Sequence, residues 1–294
     1  MTWWKSLKGN VRLNEPLKKH TSFKIGGPVK YFVEPKDTFD LQFLLKSVRG
    51  LRFKLLVIGA GSNILAVDKC INAVVVKLSS PYFKKITFKD NEINAGSGCL
   101  LSQIIKDSKN KGISGFEFFT GIPGTVGGAL MMNAGAGGKN IGDLVEEVTV
   151  MDYNGKIKRL KRKVIKFAYR SSDLSKYIIL SAVFRGSRKR KKDIEAVVRN
   201  NLIWRRDNQD LAFPSAGCVF KNPSQEISAG RLIDLCNLKG KTAGGACVSE
   251  KHANFIINKA SAKAKDVLRL IKLIQGRVKN KFNIDLQPEV KIWH

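Results

Sequence analysis

The chain has 294 residues, of which 43% are hydrophobic and 26% are charged, values typical of a globular protein that forms one large domain or two ordinary ones. No apolar run reaches the roughly 18–20 residues that span a bilayer, and the first residues lack the apolar core and cleavage site of a secretory signal. The five cysteines are scattered without a C-x-x-C pair, which argues against a disulfide framework or a metal site and favours a reducing cytoplasm.

The net charge is +29, with a sequence pI near 10.1. Such a charge favours anionic partners, namely nucleic acid, a membrane surface or nucleotide-type small molecules. Lysine and arginine are spread along the whole chain, however, so a bias in amino-acid usage explains the charge equally well. The densest basic run, RGSRKRKK at 185–192, is interpreted as a solvated linker.

The first 80 residues or so alternate strand-like and helical patterns. Alternating or apolar runs predict strands at 30–35, 53–61 and 71–78. A helix is predicted over 38–50, with Thr38 as its N-cap and Gly50 as its end. A strand, a turn and a second helix follow over 92–112, which makes the class mixed α and β.

Beyond residue 140, the segments 144–160 and 177–186 read as further strands, and Asn154-Gly155 predicts a hairpin turn within the first. A helix is predicted at 191–209. Because composition and pattern change near Gly186, a domain boundary is placed there.

The C-terminal part reads as a second α+β unit. The sequence predicts a short helix within 229–240, a strand at 252–259 and a closing strand at 284–293. Between the strands, apolar residues at helical spacing predict a long helix over 261–282, capped by Ser261.

Two glycine-rich loops stand out, GAGSNIL at 59–65 and GIPGTVGGALMMNAGAGG at 121–138, the second without a charged side chain. Neither is a standard nucleotide signature, since GAGSNI lacks the third glycine of G-x-G-x-x-G and GKT at 240–242 lacks the P-loop glycine. Main-chain amides, the Thr125 hydroxyl and the Asn133 amide can nevertheless hold a diphosphate without a lysine. We expect the two loops to bracket a dinucleotide.

Eight ordered motifs, from TSFKIGGPVKYFVEP at 21–35 to QPEVK at 287–291, closely resemble the MurB family of UDP-N-acetylenolpyruvoylglucosamine reductases. The others are GAGSNIL, GFEFFTGIPGTVGGALMMNAGA, FAYRSSDL, SAGCVFKNP, AGRLIDLCNLKG and GGACVSEKHANFIIN. The resemblance runs from about residue 12 to 293, and the compact segment between YRSS and AGC is similar to type II members.

The resemblance implies an α+β fold, with an FAD-binding domain of the vanillyl-alcohol oxidase (PCMH) type at 1–186, in two subdomains of about 1–80 and 81–186. A substrate-binding α+β domain follows at 187–294. The resemblance further implies that NADPH reduces non-covalently bound FAD, which then reduces the enolpyruvyl group of a UDP-sugar to give UDP-N-acetylmuramate for peptidoglycan. The expected cofactor-binding residues are Gly59, Gly61, Ser62, Asn63, Ile64, Gly121, Gly124, Thr125, Gly127, Gly128 and Asn133.

Hydride addition to an enol ether conjugated with a carboxylate builds negative charge on that carboxylate and requires a proton at the other carbon. The positions that match the family's catalytic residues are Arg170, Cys218 and Glu289. Arg170 is expected to stabilise the charge, Cys218 to donate the proton, and Glu289 to stabilise the enolate or to assist the proton transfer. Many family members have serine where this chain has Cys218. Since a thiol is a stronger acid than an aliphatic alcohol, cysteine can do the same work.

Asn222 and His252 match positions that contact the UDP-sugar in the family. No nucleic-acid partner is expected, and the sequence does not fix the oligomeric state, for which a monomer is the expectation. Two alternatives stay open: a flavin oxidase of the vanillyl-alcohol oxidase type, and a nucleic-acid-binding protein motivated by the charge. The second is disfavoured because the aromatic residues lie in apolar strand and helix patterns.

Overall fold

The computed structural model describes residues 3–294, which form two compact units. The first unit comprises the N-terminal stretch to Leu13, Tyr31–Ala60 and Ala73–Trp204. The second unit comprises Asn14–Lys30, Gly61–Asn72 and Arg205–His294. Each unit is therefore built from segments that are separated in the sequence, and no local sequence pattern predicts this division.

The helices are α1 Thr38–Val48, α2 Leu101–Asn110, α3 Val126–Met131, α4 Lys191–Asn208, α5 Ala229–Leu235 and α6 Ala264–Phe282. The strands are β1 Asn10–Pro16, β2 Pro28–Glu34, β3 Lys54–Ile58, β4 Ile64–Ala66, β5 Ile71–Lys77, β6 Ile86–Lys89, β7 Glu92–Gly96, β8 Ile113–Ser114, β9 Gly135–Ala136, β10 Lys139–Asn140, β11 Val145–Met151, β12 Ile157–Lys161, β13 Phe167–Ala168, β14 Ser171–Ser172, β15 Ile178–Arg185, β16 Ser187–Arg188, β17 Ser215–Cys218, β18 Thr242–Ala243, β19 Ala246–Val248, β20 Phe255–Asn258 and β21 Lys291–Trp293.

A four-stranded sheet of order β1-β2-β5-β3 begins the first unit, with β3 and β5 parallel. Helix α1 buries Leu41, Leu44 and Leu45 in the core that it shares with the apolar side chains of β2 and β5. The N-cap of α1 is Asp37, whose carboxylate accepts from the Asp40 amide at 2.9 Å. Thr38, predicted as the cap, is instead the first helical residue.

A five-stranded antiparallel sheet of order β12-β11-β15-β7-β6 forms the second layer of the first unit. The predicted hairpin at Asn154-Gly155 is confirmed, because β11 and β12 pair across it with Met151 opposite Ile157. Helices α2 and α3 pack against this sheet over a core that includes Phe116, Phe119 and Phe184. The glycine-rich stretch 121–138 thus contains a buried turn of helix.

The first unit continues past Gly186, where the sequence placed the domain boundary. Strand β16 pairs with β8, and the Asn201 side-chain amide of α4 donates to the Glu117 carbonyl at 2.9 Å. Ile194 of α4 is buried as well. These contacts hold the basic run and most of the following helix to the first unit; the functional meaning of the division stays a prediction.

The second unit contains a four-stranded sheet of order β17-β20-β19-β18, covered by α5 and α6. Val267, Leu270, Ile271, Ile274 and Val278 of α6 are buried, as their helical spacing predicted. The predicted cap of this helix is wrong: Ser261 lies before the helix at φ 50°, and Asp266 accepts the Lys263 amide at 3.0 Å instead.

The closing strand is shorter than predicted, since β21 is the only strand described within 284–293; it runs parallel to β4 in the second unit, and Pro288 forms an isolated antiparallel bridge with Phe220. None of the helices described is both long and apolar enough to cross a membrane.

Leu41 and Phe39 of α1 provide a matched test of this packing, because Leu41 is 0% exposed and Phe39 is 80% exposed. Leu41→Ala should lower the free energy of unfolding by about 2–5 kcal/mol, since it leaves a cavity in the core. Phe39→Ala should stay within about 0.5 kcal/mol of wild type. Denaturant unfolding of the full chain, followed by circular dichroism, measures both; equal losses would contradict the packing.

Candidate functional site

Gly59 follows β3 at its carboxyl end, in the first unit, and lies directly against Thr125. A Cβ built on Gly59 would collide with the Thr125 hydroxyl oxygen. Any side chain there would therefore push the two glycine-rich segments apart. The structure thus brings together Gly59 and the 121–128 loop; that the two hold a dinucleotide stays a prediction.

The 121–128 loop leads into α3, and Thr125 is the N-cap of that helix. The Thr125 Oγ1 accepts from the Gly128 amide at 3.4 Å, which leaves the hydroxyl proton available to donate. The Gly127 amide donates to the Ser97 carbonyl at 2.9 Å, and a Cβ on Gly127 would lie 3.1 Å from that of Ser97. Gly127 consequently serves close packing, whereas Gly121 and Gly128 are exposed.

Asn133 is buried, at φ 43°, and its side chain joins two neighbouring segments of the first unit. Its Nδ2 donates to the Ala168 carbonyl and its Oδ1 accepts from the Gly142 amide, each at 3.1 Å. Both ends of the side-chain amide are thus engaged within the protein. Asn133 therefore fixes the position of the 167–172 hairpin, which carries Arg170.

Arg170 occupies the two-residue turn between β13 and β14, at φ 54°. Its Nη1 donates to the Gly135 carbonyl at 3.1 Å, and its guanidinium lies 5.4 Å from the centre of the Tyr169 ring. Ser172 Oγ anchors the other strand by donating to the Met131 carbonyl at 3.2 Å. Hydrogen bonds on both strands and at the turn therefore hold this half-buried guanidinium beside β9.

The rest of GAGSNIL belongs to the second unit. Gly61 has φ 66° and a Cβ there would collide with the His20 carbonyl, so glycine is required. The Asn63 Nδ2 donates to the Glu289 carbonyl at 3.1 Å, and Ile64 pairs with Lys291 in the β4–β21 ladder. Loop and C-terminal strand are thereby joined inside the second unit.

Cys218 ends β17, at a register shift in its pairing with β20, directly after Gly217 at φ 71°. The cysteine is half-buried. The carbonyl of the next residue, Val219, accepts from the Glu289 amide at 2.7 Å. One main-chain hydrogen bond therefore joins Glu289 to the residue that follows Cys218, which places these two predicted catalytic residues on adjacent segments.

Asn254, which the sequence did not single out, binds the main chain of Val219 and Phe220, the two residues that follow Cys218. It is 2% exposed; its Oδ1 accepts from the Phe220 amide at 2.9 Å and its Nδ2 donates to the Phe220 carbonyl at 2.8 Å. Its own carbonyl accepts from the Val219 amide at 2.8 Å. An asparagine inside the otherwise apolar run HANFII was the one available signal.

His252 and Asn222, the predicted substrate contacts, belong to the same region of the second unit. The His252 Nδ1 accepts from the Asn254 amide at 3.2 Å, so the neutral ring carries its proton on Nε2. The Asn222 Oδ1 accepts from the Ala229 amide at 3.1 Å, at the start of α5, and Asn222 is exposed.

The predicted residues thus fall into two sets, one in each unit. The first unit holds Gly59, Gly121, Gly124, Thr125, Gly127, Gly128, Asn133 and Arg170; the second holds Gly61, Ser62, Asn63, Ile64, Cys218, Asn222, His252 and Glu289.

All five cysteines are free thiols, and burial raises the pKa of Cys99 to about 11. The described residues contain no cluster of His, Cys, Asp or Glu placed to hold a metal.

Two family models match separate parts of the chain. One, described as an FAD binding domain, matches residues 29–161 and so includes Gly59 and the 121–128 loop. The other, described as the C-terminal domain of UDP-N-acetylenolpyruvoylglucosamine reductase, matches residues 209–293, which include Cys218 and Glu289. These matches define a protein with an FAD-binding domain followed by a C-terminal α+β domain of the reductase type.

Full-length comparisons agree. A protein of Symbiobacterium thermophilum named UDP-N-acetylenolpyruvoylglucosamine reductase 2 is 40% identical over 97% of this chain and 92% of its own length. A reductase of the same name from Caldanaerobacter subterraneus is 42% identical, over 97% and 94%. The crystal structure of MurB from Thermus caldophilus superposes with a TM-score of 0.83 at 31% identity, covering 98% of this chain and 100% of its own. The chain belongs to the UDP-N-acetylenolpyruvoylglucosamine reductase (MurB) family.

The first unit is suited to FAD. Gly59 has no room for a Cβ beside Thr125, and the residues from Gly121 to Gly128 carry no charge and no large side chain apart from Ile122. Exposed glycine backbone and a hydroxyl donor are groups that approach a diphosphate closely. The residues present therefore fit the cofactor that the family implies.

His252 gives a test of the electrostatics in the second unit. Burial lowers its pKa below the usual 6.5, so the folded chain keeps the ring neutral where the unfolded chain is protonated. The unfolded state binds more protons in that range, and stability should fall as pH drops below about 6.5, towards the lowered pKa. NMR titration should place the His252 signal below 6.5, with His252→Gln identifying the signal. A pKa at or above 6.5 would contradict the assignment.

Proposed function

We propose that this chain is the NADPH-dependent, FAD-containing reductase that converts UDP-N-acetylglucosamine enolpyruvate to UDP-N-acetylmuramate, an oxidoreductase of peptidoglycan precursor synthesis. The observation that carries the proposal is the set of contacts around Val219 and Phe220. Cys218 precedes this pair, and the Glu289 amide is bonded to the Val219 carbonyl at 2.7 Å. The family match over nearly the whole chain supplies the substrate and the cofactors.

In this proposal, Gly59 and the 121–128 loop of the first unit bind FAD. The GAGSNIL residues from Gly61 to Ile64, in the second unit, stay predicted cofactor-binding residues. When bound, FAD would supply hydride transfer from NADPH to the enolpyruvyl double bond. Thr125 contributes a hydroxyl, and glycine backbone contributes amides. Asn133 contributes to this site indirectly in the proposal, because its two hydrogen bonds hold the neighbouring 134–142 segment and the Arg170 hairpin in place.

Arg170 stabilises the substrate carboxylate as negative charge develops on it during hydride addition. A guanidinium suits this role because its planar fork of donors matches two carboxylate oxygens and keeps its charge at any physiological pH. The hydrogen bond from Nη1 to the Gly135 carbonyl orients the group without neutralising it, since a carbonyl carries no net charge.

Cys218 donates a proton from Sγ to the substrate carbon that did not receive hydride. Its half-buried position at the end of β17 gives it access while limiting solvent. Glu289 assists this proton transfer or stabilises the enolate, and Asn222 and His252 contact the UDP-sugar. The 187–294 region is correspondingly proposed as substrate-binding, apart from the part that packs in the first unit.

The proposal places the enzyme in the cytoplasm, acting as a monomer on small molecules, with NADPH and the UDP-sugar as its partners. Five free thiols support a reducing compartment. The basic charge is not assigned to nucleic acid, because the exposed lysines and arginines are distributed over both units.

The direct test is a visible absorption spectrum of the purified chain. We expect stoichiometric yellow FAD, bleached by NADPH without oxygen and restored by UDP-N-acetylglucosamine enolpyruvate. NADH is the matched reductant, and UDP-N-acetylglucosamine, which lacks the enolpyruvyl group, is the matched sugar and should restore nothing. A colourless protein that also refuses added FAD would overturn the proposal.

A further inference from the structure

Two buried hydroxyls of the first unit lack a hydrogen-bond partner within residues 3–294. They belong to Ser97, which is 4% exposed, and Thr120, which is 3% exposed. Other buried hydroxyls are satisfied: Ser108, 1% exposed, donates to the Ile105 carbonyl at 3.1 Å. Because an unmade hydrogen bond in a buried site costs free energy, these two exceptions require an explanation.

Both exceptions adjoin the same glycine-rich loop. Ser97 follows β7, and its carbonyl accepts from the Gly127 amide at 2.9 Å. A Cβ on Gly127 would lie 3.1 Å from the Ser97 Cβ, so the two residues are in direct contact. Thr120 immediately precedes Gly121, at the end of the turn that holds its amide on the Glu117 carbonyl at 3.1 Å. The unpartnered hydroxyls thus stand at both ends of the 121–128 loop.

We propose that Ser97 and Thr120 are further ligands of FAD in this chain, each donating its hydroxyl proton to an acceptor atom of the cofactor. The proposal rests on the proposed function and extends its set of binding residues. A neutral hydroxyl suits a loop without charged side chains, because it supplies a donor without bringing a cation into a buried site. The cost of burying each hydroxyl unpaired in the FAD-free chain is recovered when the cofactor binds.

Removing either hydroxyl should therefore weaken FAD binding without destabilising the FAD-free chain. Ser97→Ala and Thr120→Val should each raise the Kd for FAD about tenfold, as expected for losing one hydrogen bond of ordinary strength. The FAD-free full chain should melt at the wild-type temperature or higher, because no native hydrogen bond has been lost. Flavin fluorescence on dilution of the holoprotein gives the Kd, and differential scanning fluorimetry of the FAD-free chain gives the melting temperature.

Ser108→Ala is the matched control, since it removes a buried hydroxyl that does have a partner. It should lower the melting temperature and leave the Kd for FAD unchanged. An unchanged Kd in Ser97→Ala or in Thr120→Val overturns the assignment of that residue, as does weaker binding explained by a lower melting temperature without FAD. A wild-type chain that binds no FAD overturns the proposed function itself, an outcome that the variants cannot imitate.

Discussion

The side chain of Asn254 satisfies both the amide and the carbonyl of Phe220, and the other contacts of the second-unit site depend on this pair of hydrogen bonds. With Phe220 fixed, the Val219 carbonyl meets the Glu289 amide, and Cys218 lies one residue before it. The same asparagine offers its amide to His252. Since Asn254 is 2% exposed, losing its side chain would leave two buried main-chain groups of Phe220 without a partner and loosen the segment that follows Cys218.

Lack of space is the corresponding constraint in the first unit. A Cβ on Gly59 would collide with the Thr125 hydroxyl oxygen, and a Cβ on Gly127 would pack tightly against the Ser97 Cβ at 3.1 Å. The loops can therefore present main-chain and hydroxyl groups to a ligand while remaining tightly packed. Arg170 is placed by a different device, a hairpin fixed to Gly135 and Met131 by side-chain hydrogen bonds.

Much of the fold could be predicted from the sequence, because local signals are strong where hydrophobic periodicity and turn-forming residues agree. The hairpin at Asn154-Gly155 and the buried face of α6 follow from such signals. Helix starts were less predictable: Asp37 caps α1 because its carboxylate reaches the Asp40 amide, and the adjacent Thr38 offered an equally good sequence signal. The two discontinuous units could not be predicted, since four of their five boundaries fall inside β1, β2, β5 and α4, where no composition change marks them, and the fifth divides the GAGSNIL loop between residues 60 and 61.

The candidate site shows the same division. The sequence motifs identified the candidate residues, and the structure shows which side chains hold their segments in place. Asn254 binds the Phe220 main chain near Cys218, and Asn133 binds the Ala168 carbonyl near Arg170. The structure also shows the unpartnered hydroxyls of Ser97 and Thr120. Supports of this kind are set by contacts between residues distant in sequence, so no local pattern reports them.

The assignment of Cys218 as proton donor is the central claim, and single-turnover kinetics test it most directly. FAD-loaded wild type, Cys218→Ser and Cys218→Ala are reduced with NADPH without oxygen and mixed with UDP-N-acetylglucosamine enolpyruvate, and the return of flavin absorbance is followed. The account predicts normal reduction by NADPH in all three, substantial reoxidation in Cys218→Ser and reoxidation slowed about 10²–10⁴-fold in Cys218→Ala. Reoxidation of Cys218→Ala at the wild-type rate would contradict it.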